Sequence, residues 1–148
     1  MKRMIRIIVL ISSITLFLSI ITIVVSPFLS SLHIKSIQYS YRYFDENGNI
    51  NVDTVLITGD DAQTIASMFQ HAKISFAWDT INAGYDHNHY LRLNGNWISC
   101  KILLRYNHLH DFKNEFLRIE YCINEEEAKS LYRILQSYHR HDSVLIAG

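Results

Sequence analysis

The longest apolar stretch of the chain lies near its N-terminus and follows a group of basic residues. No charged residue occurs between Ile7 and Val25, and Lys2, Arg3 and Arg6 precede this stretch. A helix of this length spans about 28 Å, close to the thickness of the hydrocarbon layer of a bilayer. The single proline, Pro27, follows where a helix leaving the membrane can end. The pattern predicts a transmembrane anchor over residues 7–29 and a short linker over residues 30–33.

A cleaved secretory signal is the alternative interpretation, because such signals also place basic residues before an apolar region. Their apolar regions usually cover ~7–15 residues, which is shorter than the stretch seen here. Pro27 would also obstruct cleavage after Ser26, so we expect the segment to be retained. More basic residues precede the span than follow it closely. The positive-inside rule therefore predicts a single-pass protein of the cytoplasmic (inner) membrane, with residues 1–6 in the cytoplasm and the remainder extracytoplasmic.

Residues 34–138 show the periodicities of one mixed domain, and the tail at residues 139–148 has no clear period. Alternating apolar and polar positions predict strands, and apolar positions at helical spacing predict two helices. Asp60 with Gln63, and Asn124 with Glu127, fit the capping boxes that begin helices. The predicted strands cover residues 34–44, 50–58, 74–78, 89–93, 97–106 and 116–123, and the predicted helices begin at Asp60 and after Asn124.

The order of these elements, ββαββββα, predicts an α+β two-layer domain with a largely antiparallel sheet. Turn sequences at residues 45–49 and at Asn94–Gly95 indicate hairpins, and residues 107–114 are predicted to form a polar loop. Both helices are expected to cover one face of the sheet, since each has a single apolar stripe. The other face would be solvated or would cover a partner. Its predicted side chains are Ser36, Gln38, Ser40, Arg42, Arg118 and Glu120.

Charge and cysteine content narrow the function classes. Lysine plus arginine and aspartate plus glutamate are equal at 14 each, so the chain as a whole has no basic field to hold nucleic acid. Cys100 alternates with core positions, whereas Cys122 alternates with Arg118 and Glu120. In one sheet these two sulfurs would point to opposite faces, so we expect thiols and not a disulfide.

Histidine is the residue type that most suggests chemistry. Six of the eight histidines form pairs one residue apart, and two such residues on a strand share a face and can chelate Zn²⁺ or Cu²⁺. The candidate metal ligands are His87, His89, His108 and His110. The simpler interpretation is that these histidines belong to loops without a common geometry, because no third and fourth ligand occurs at a recognised metal-site spacing. No cofactor is predicted.

The common catalytic motifs are absent from the sequence, including His-Glu-x-x-His, Gly-x-Ser-x-Gly and a glycine-rich phosphate loop. Asp60, Asp61 and the Glu125–Glu127 run resemble paired carboxylates, but the electrostatics of helix N-termini explain both groups. Cys122 is the more accessible of the two predicted thiols and is the residue to test for thiol chemistry. The sequence therefore predicts a protein that is not an enzyme.

The region around residues 81–90 combines aromatic residues with an irregular loop, a combination common at binding surfaces. Trp78 and Trp97 flank this loop, and Trp78 is expected to pack in the core. The predicted partner-binding residues are Tyr85, His87, His89 and Tyr90. We expect a membrane-anchored extracytoplasmic domain that binds another protein or an envelope component, such as an immunity or inhibitor protein or a subunit of an envelope complex. A histidine-based metal-binding domain is the alternative.

Overall fold

The computed structural model of the chain describes residues 2–76, 85–96, 98–105, 108–114 and 119–140. These ranges contain three helices and seven strands, and all strand pairs are antiparallel. The prediction of an α+β fold with a largely antiparallel sheet is confirmed. The elements are α1 (Lys2–Leu32), β1 (Ile34–Phe44), β2 (Ile50–Ile57), α2 (Gly59–Gln70), β3 (Lys73–Phe76), β4 (Tyr85–Gly95), β5 (Ser99–Arg105), β6 (His108–Asn114), β7 (Ile119–Cys122) and α3 (Glu125–Ser137). Across the sheet the strand order is β2-β1-β4-β5-β6-β7-β3.

The β1–β2 hairpin forms at the predicted turn. Gly48 has a φ of 78°, a backbone conformation that favours glycine, and its amide donates to the Asp45 carbonyl at 2.9 Å. The Asp45 carboxylate accepts from the amides of Asn47 and Asn49 at 2.9 and 2.8 Å. These bonds, with the Asn49 backbone contact the largest contribution, lower the pKa of Asp45. The turn is therefore fixed by one side chain as well as by the glycine.

Strand β6 corrects the sequence prediction, which placed a polar loop over residues 107–114. His108–Asn114 lies between β5 and β7, so its backbone groups find partners on both sides despite the polar composition. Phe112 is fully buried and meets Phe69 of α2 edge to face, with ring centroids 5.0 Å apart. One aromatic anchor and two neighbouring strands thus override a weak local signal.

The structure contains one of the two predicted capping boxes. Helix α3 has one: the Asn124 side chain accepts from the Glu127 amide, and the Glu127 carboxylate accepts from the Asn124 amide. Helix α2 begins one residue earlier than predicted, at Gly59, and its N-cap Thr58 makes no capping bond through its side chain. The capping box predicted at Asp60 is therefore wrong. The apolar stripe predicted for α2, however, is entirely buried.

One face of the sheet carries the main hydrophobic core. Helix α2 packs on β1 and α3 packs on β6, and the two helices also touch each other. Alternate residues of β1 and β4, such as Ile37, Tyr39 and Leu91, point into this layer and are buried. The helical residues that cover them are Ala62, Ile65, Met68, Phe69, Ala128, Leu131 and Leu135. The expectation that both helices pack on one face of the sheet agrees with these contacts.

Helix α1 joins the same layer through its last two turns. The helix passes through Pro27 and continues to Leu32, three residues beyond the predicted end of the anchor at residue 29. The Ser26 hydroxyl donates to the Cys100 sulfur at 3.2 Å, and the Ser30 hydroxyl donates to the Ile98 carbonyl at 3.1 Å. Gly95 lies so close that a Cβ atom there would stand 2.8 Å from the Ser30 carbonyl oxygen. Residues 24–32 therefore pack on the domain, although a short linker was predicted over residues 30–33.

The part of α1 that precedes this packed segment is exposed. Met4–Thr22 is long and apolar enough to cross a bilayer, and none of it is buried in the protein. Four hydroxyl side chains in this part donate to the carbonyl four residues earlier, at 2.8–2.9 Å, so they add few unmet polar groups to the apolar surface. They are Ser13, Thr15, Ser19 and Thr22.

The two cysteines are thiols, as expected. Cys100 is buried beside α1, on the face that the helices cover. Cys122 pairs with Lys73 of β3 and is partly exposed on the other face. The alternation in the sequence thus predicted both sides correctly.

Candidate functional site

The face of the sheet opposite the helices has two unusual surface features, and the first is apolar. Phe44 at the end of β1 and Ile50, Val52 and Leu56 on β2 are 53%, 54%, 47% and 61% exposed. Their register partners place all four on the face opposite Tyr39, Val55 and Ile57. Because β2 is an edge strand, this apolar strip also borders a strand edge that is open to pairing.

The second feature is a row of four residues that lie side by side across four strands. Leu56 pairs with Gln38, Gln38 pairs with Arg92, and Arg92 pairs with Lys101. We call these four residues the Leu56–Lys101 row. With strands ~4.8 Å apart, the row measures about 14 Å from its apolar end to its basic end.

The basic end of the row joins two like charges directly across a strand pair. Arg92 on β4 is opposite Lys101 on β5, an arrangement that destabilises a sheet. The Lys101 ammonium lies over the Tyr90 ring, 4.4 Å from its centroid, which offsets part of the repulsion through a cation–π contact. The strand register thus places two cations next to each other on the uncovered side of the sheet.

Polar side chains adjoin the row on the side nearer α1. The Ser99 hydroxyl donates to the Asn94 side-chain oxygen at 2.9 Å, and the Asn94 amide donates to the Ser36 hydroxyl at 3.4 Å. On the opposite side of the row, Ser40 and Leu103 are buried although they share this face. Ser40 and Leu103 therefore mark one border of the exposed area around the Leu56–Lys101 row.

A separate cluster of aromatic rings and histidines lies on the helix-covered face. The His139 ring stacks on Tyr41 with centroids 4.3 Å apart, and its Nε2 is hydrogen-bonded to the Tyr39 hydroxyl at 2.9 Å. The Tyr41 hydroxyl donates to the Asp53 carboxylate at 3.1 Å and accepts from the Arg140 amide at 2.9 Å. These contacts attach the segment after α3 to β1 and β2.

Burial shifts the proton equilibria in this cluster. Desolvation lowers the pKa of His139, so the neutral ring is favoured in the folded protein. Desolvation, with the Tyr41 ring as a smaller contribution, raises the pKa of Tyr39 well above its usual range. Both residues are therefore uncharged at neutral pH, which suits packing and hydrogen bonding better than proton transfer.

The structure separates the residues predicted to bind a partner. Tyr85–Gly95 is a strand, so residues 85–90 do not form the predicted loop. His87 is exposed, His89 is buried with its ring 6.0 Å from that of Tyr39, and Tyr90 lies on the opposite face beside Lys101. The register of β4 against β5 shifts between Tyr85 and Tyr90, the segment that contains His87 and His89, so simple alternation of faces does not hold there. The side chain of Tyr85 lies outside the described residues.

The predicted metal ligands remain a prediction. Among the residues that the structure describes, no group of three or more histidine, cysteine, aspartate or glutamate side chains could hold a metal ion. The backbones of His108 and His110 belong to β6, where their pairing partners are β5 and β7. Their side chains, and the whole of Trp78, Trp97, Arg118 and His141, lie outside the described residues.

Sequence reasoning did not find Arg92 or Lys101, and it assigned no face to Ile50, Val52 and Leu56. The sequence of β2 shows alternating apolar positions, because Ile50, Val52 and Leu56 recur at every second or fourth residue. This alternation does not identify the outward face of β2, since Val55 and Ile57 on the other face are equally apolar. The Arg92–Lys101 pair required the strand register, which a single sequence does not provide.

Comparison with protein-family models, characterised proteins and solved structures found no match to this chain. The function is therefore inferred from the geometry and the chemistry of the residues.

Proposed function

We propose that this protein is a membrane-anchored extracytoplasmic binding domain that recognises another protein and does not catalyse a reaction. The observation that carries the proposal is the group of four large apolar side chains on the uncovered side of the β1–β2 hairpin, each about half exposed. Leaving such side chains in water forgoes about 25 cal/mol for each Å² of apolar surface. Phe44, Ile50 and Val52 are neighbours on this face, and Thr54 separates Val52 from Leu56. Exposed apolar patches are typical of protein contact surfaces.

The N-terminal part of α1 supports the anchoring. Met4–Thr22 has the length and composition of a membrane span, Lys2 and Arg3 precede it, and Arg6 lies in its first turn. The positive-inside rule then favours a cytoplasmic N-terminus and an extracytoplasmic domain in a single-pass protein of the cytoplasmic membrane.

The packing of residues 24–32 favours a retained anchor over a cleaved signal. Ser26, Ser30 and Ser31 are buried against the domain, and the Tyr121 hydroxyl donates to the Val24 carbonyl at 3.0 Å. Cleavage after Ser26, Ser30 or Ser31 would remove part or all of this packed segment from the core. A rigid connection between the span and the domain also fixes the direction in which the sheet faces the surroundings.

Two concrete roles fit such a domain: an immunity or inhibitor protein that intercepts another protein in the envelope, and a noncatalytic subunit of an envelope complex. Both use a surface fixed relative to the membrane. Neither requires nucleic acid, a cofactor or a metal ion.

Site-specific photocrosslinking in native cells tests the proposal. A benzoylphenylalanine placed at Leu56 should give a discrete protein adduct, and one placed at Arg133, on the exposed side of α3, should not. Adding Val52→Asp to the Leu56 crosslinking protein should remove the adduct, because a buried charge opposes an apolar contact. Equal adducts from Leu56 and Arg133, or an adduct that survives Val52→Asp, would exclude this face as the binding surface.

A further inference from the structure

The open edge of β2 indicates the conformation of the partner. We propose that an extended segment of the partner protein pairs with β2 as an additional antiparallel strand, with apolar side chains along one face and a basic side chain opposite Asp53. This inference rests on the proposed binding function and adds the conformation and the chemistry of the partner segment. In the part of the chain that the structure describes, only β1 pairs with β2.

The hydrogen bonds of the β1–β2 hairpin show which backbone groups of β2 face the open edge. The Asp45 amide donates to the Asn49 carbonyl at 2.9 Å, so these two residues begin the ladder as a hydrogen-bonded pair. Such pairs recur at every second residue of an antiparallel ladder, and the β1–β2 register has no shift. The odd-numbered residues of β2 therefore bond to β1. The residues whose N–H and C=O groups point to the open edge are Ile50, Val52, Thr54 and Leu56.

The Thr54 amide agrees with this pattern. Its N–H donates to the carboxylate of the preceding residue, Asp53, at 2.7 Å, so a side-chain oxygen takes the place of a carbonyl from a further strand. Asp53 also accepts from the Tyr41 hydroxyl at 3.1 Å. A partner residue directly opposite Asp53 would share its face, and a lysine or arginine there forms a favourable cross-strand pair. This pairing would release the Thr54 N–H for a carbonyl of the partner.

The residues that turn their backbone groups to the edge also carry the exposed apolar side chains. Ile50, Val52 and Leu56 are each about half exposed on the uncovered face, and Thr54 lies between Val52 and Leu56. In an antiparallel pair, directly opposite residues point to the same face. One added strand with apolar residues on that face would therefore bond to the edge and cover these side chains. A helix lying on the face would cover the side chains and leave the edge groups in water.

The two edges of the sheet differ in their protection against pairing. Strand β3, at one edge, has only four residues and begins with Lys73, and both features discourage strand addition. Strand β2 has eight residues, no proline and no bulge against β1, and its single charged residue is Asp53. A long, regular and apolar edge readily pairs with another chain. Strand addition at such an edge is a common way to recognise an extended peptide.

The path of α1 places this edge away from the proposed membrane span. Helix α1 contacts β4 and β5, and the Tyr121 hydroxyl of β7 donates to the Val24 carbonyl near the end of the span. Strand β2 lies at the opposite end of the strand order from β7 and β3. A protein segment in the extracytoplasmic space therefore suits the β2 edge better than lipid does.

A binding assay with a defined peptide tests the proposal. The full-length protein in phosphatidylcholine nanodiscs is titrated into the fluorescein-labelled heptapeptide Val-Thr-Thr-Lys-Val-Thr-Val. In the antiparallel register this peptide lies along β2 from Leu56 to Ile50, with its lysine opposite Asp53. A control peptide of the same composition, Val-Val-Val-Lys-Thr-Thr-Thr, has no alternation and should bind at least about tenfold more weakly. Equal binding of the two peptides, or binding of neither, would overturn the proposal.

Methylation of the peptide backbone tests the hydrogen bonds themselves. N-methyl groups on the third and fifth peptide residues remove the N–H groups that face Thr54 and Val52, so affinity should fall at least about tenfold, as expected for two lost bonds. N-methyl groups on the fourth and sixth residues face away from β2 and should change affinity by about twofold or less. Equal effects would overturn strand addition, and the reverse order of effects would overturn the antiparallel register.

Hydrogen exchange of the β2 amides gives an independent measurement. Peptide binding should slow exchange at least about tenfold at Val52, Thr54 and Leu56. Exchange should change by about twofold or less at Asn51, Asp53 and Val55, whose amides already bond to β1. Two other occupants of the edge would overturn the proposal. The first is the chain's own C-terminal residues, if the peptide binds only to a chain shortened after Arg140. The second is another copy of the protein, if the edge amides are protected without peptide and lose this protection on dilution.

The photocrosslinking experiment separates this proposal from the binding function itself. Val52→Pro removes one N–H from the open edge and keeps an apolar side chain, a change that edge strands tolerate. The control Val52→Ala keeps the N–H, and circular dichroism melts verify that both variants fold. If Val52→Pro removes the Leu56 adduct and Val52→Ala keeps it, both proposals are supported. If Val52→Asp removes the adduct and Val52→Pro keeps it, the domain binds a partner but strand addition is wrong. An adduct that survives all three substitutions contradicts both proposals.

Discussion

Large apolar residues occur on both faces of this sheet, but they are buried on one face and exposed to solvent on the other. On β1 and β2, Ile37, Tyr39 and Ile57 are fully or almost fully buried beneath the helices, whereas Leu56, adjacent to Ile57 in the chain, is 61% exposed on the other face. Folding explains the apolar residues of the first face, because their burial stabilises the domain. It does not explain those of the second face. The difference supports the proposal that the second set contacts a partner.

Charge shows the same contrast. The acidic residues of α2 and α3 begin helices, where carboxylates interact favourably with the helix dipole. Arg92 and Lys101 on the sheet instead face each other across a strand pair, where like charges repel.

The largest expected effect is a difference in stability between two substitutions, one at an apolar residue of each face. Phe112→Ala should reduce the free energy of unfolding by about 3–5 kcal/mol, because it opens a cavity next to Phe69. Leu56→Ala should change it by less than about 0.5 kcal/mol, because that side chain is already in water. Urea denaturation of both variants measures the difference, and similar losses would show that Leu56 supports the fold.

The next effect concerns the end of α1, which we assign to the covered face. Gly95→Ala should reduce the free energy of unfolding by about 1–3 kcal/mol, because the new Cβ would collide with the backbone of Ser30. Hydrogen exchange should accelerate across residues 24–32. The control Gly48→Ala strains a turn that has no atom near its new Cβ, so it should leave exchange in residues 24–32 unchanged. Equal exchange in the two variants would place residues 24–32 outside the core.

A smaller effect depends on pH. Burial lowers the pKa of His139 in the folded protein, so the neutral ring is favoured there while the unfolded chain keeps its ordinary value of about 6.5. The resulting stability is present above about pH 6.5 and decreases as the pH falls below it, because the unfolded state then binds more protons. Thermal melts between pH 7.5 and 5 should show a smaller decrease in His139→Phe than in the wild type. Identical decreases would mean that His139 is not coupled to folding.

The smallest expected effect is a gain in stability. Arg92→Glu converts a repulsive cross-strand pair with Lys101 into an attractive one, so it should increase the free energy of unfolding by about 0.2–1 kcal/mol. Arg92→Gln should give a smaller gain, since it only removes the repulsion. A loss of stability in Arg92→Glu would show that Arg92 supports the fold.

The parts of the fold with strong local signals were predictable. The β1–β2 turn, the α3 capping box and the buried stripe of α2 each depend on residues within a few positions of one another. Strand β6 was missed because its backbone partners come from β5 and β7, and its apolar residues Leu109 and Phe112 are three positions apart and do not alternate. The packing of the end of α1 on the domain was missed because its stabilising contacts, with Ile98, Cys100 and Tyr121, are distant in sequence.

The candidate surface was less predictable than the fold. The sequence indicated that the face carrying Gln38 and Arg42 is polar and could cover a partner, but it favoured the 81–90 region for binding. The irregular register of β4 places His87, His89 and Tyr90 in three different environments, and no local rule gives that result. Arg92 and Lys101 become a pair only through the β4–β5 register.

The most direct test of the central claim, that a partner covers the open face of the sheet, is thiol protection in intact cells. Leu56→Cys and Arg133→Cys are each introduced with Cys122→Ser and treated with a membrane-impermeant maleimide, in cells and after purification. The account predicts that the thiol at position 56 reacts slowly in cells and rapidly in the purified protein, whereas the thiol at position 133 reacts rapidly in both. Equal and rapid reaction at both positions in cells would contradict it.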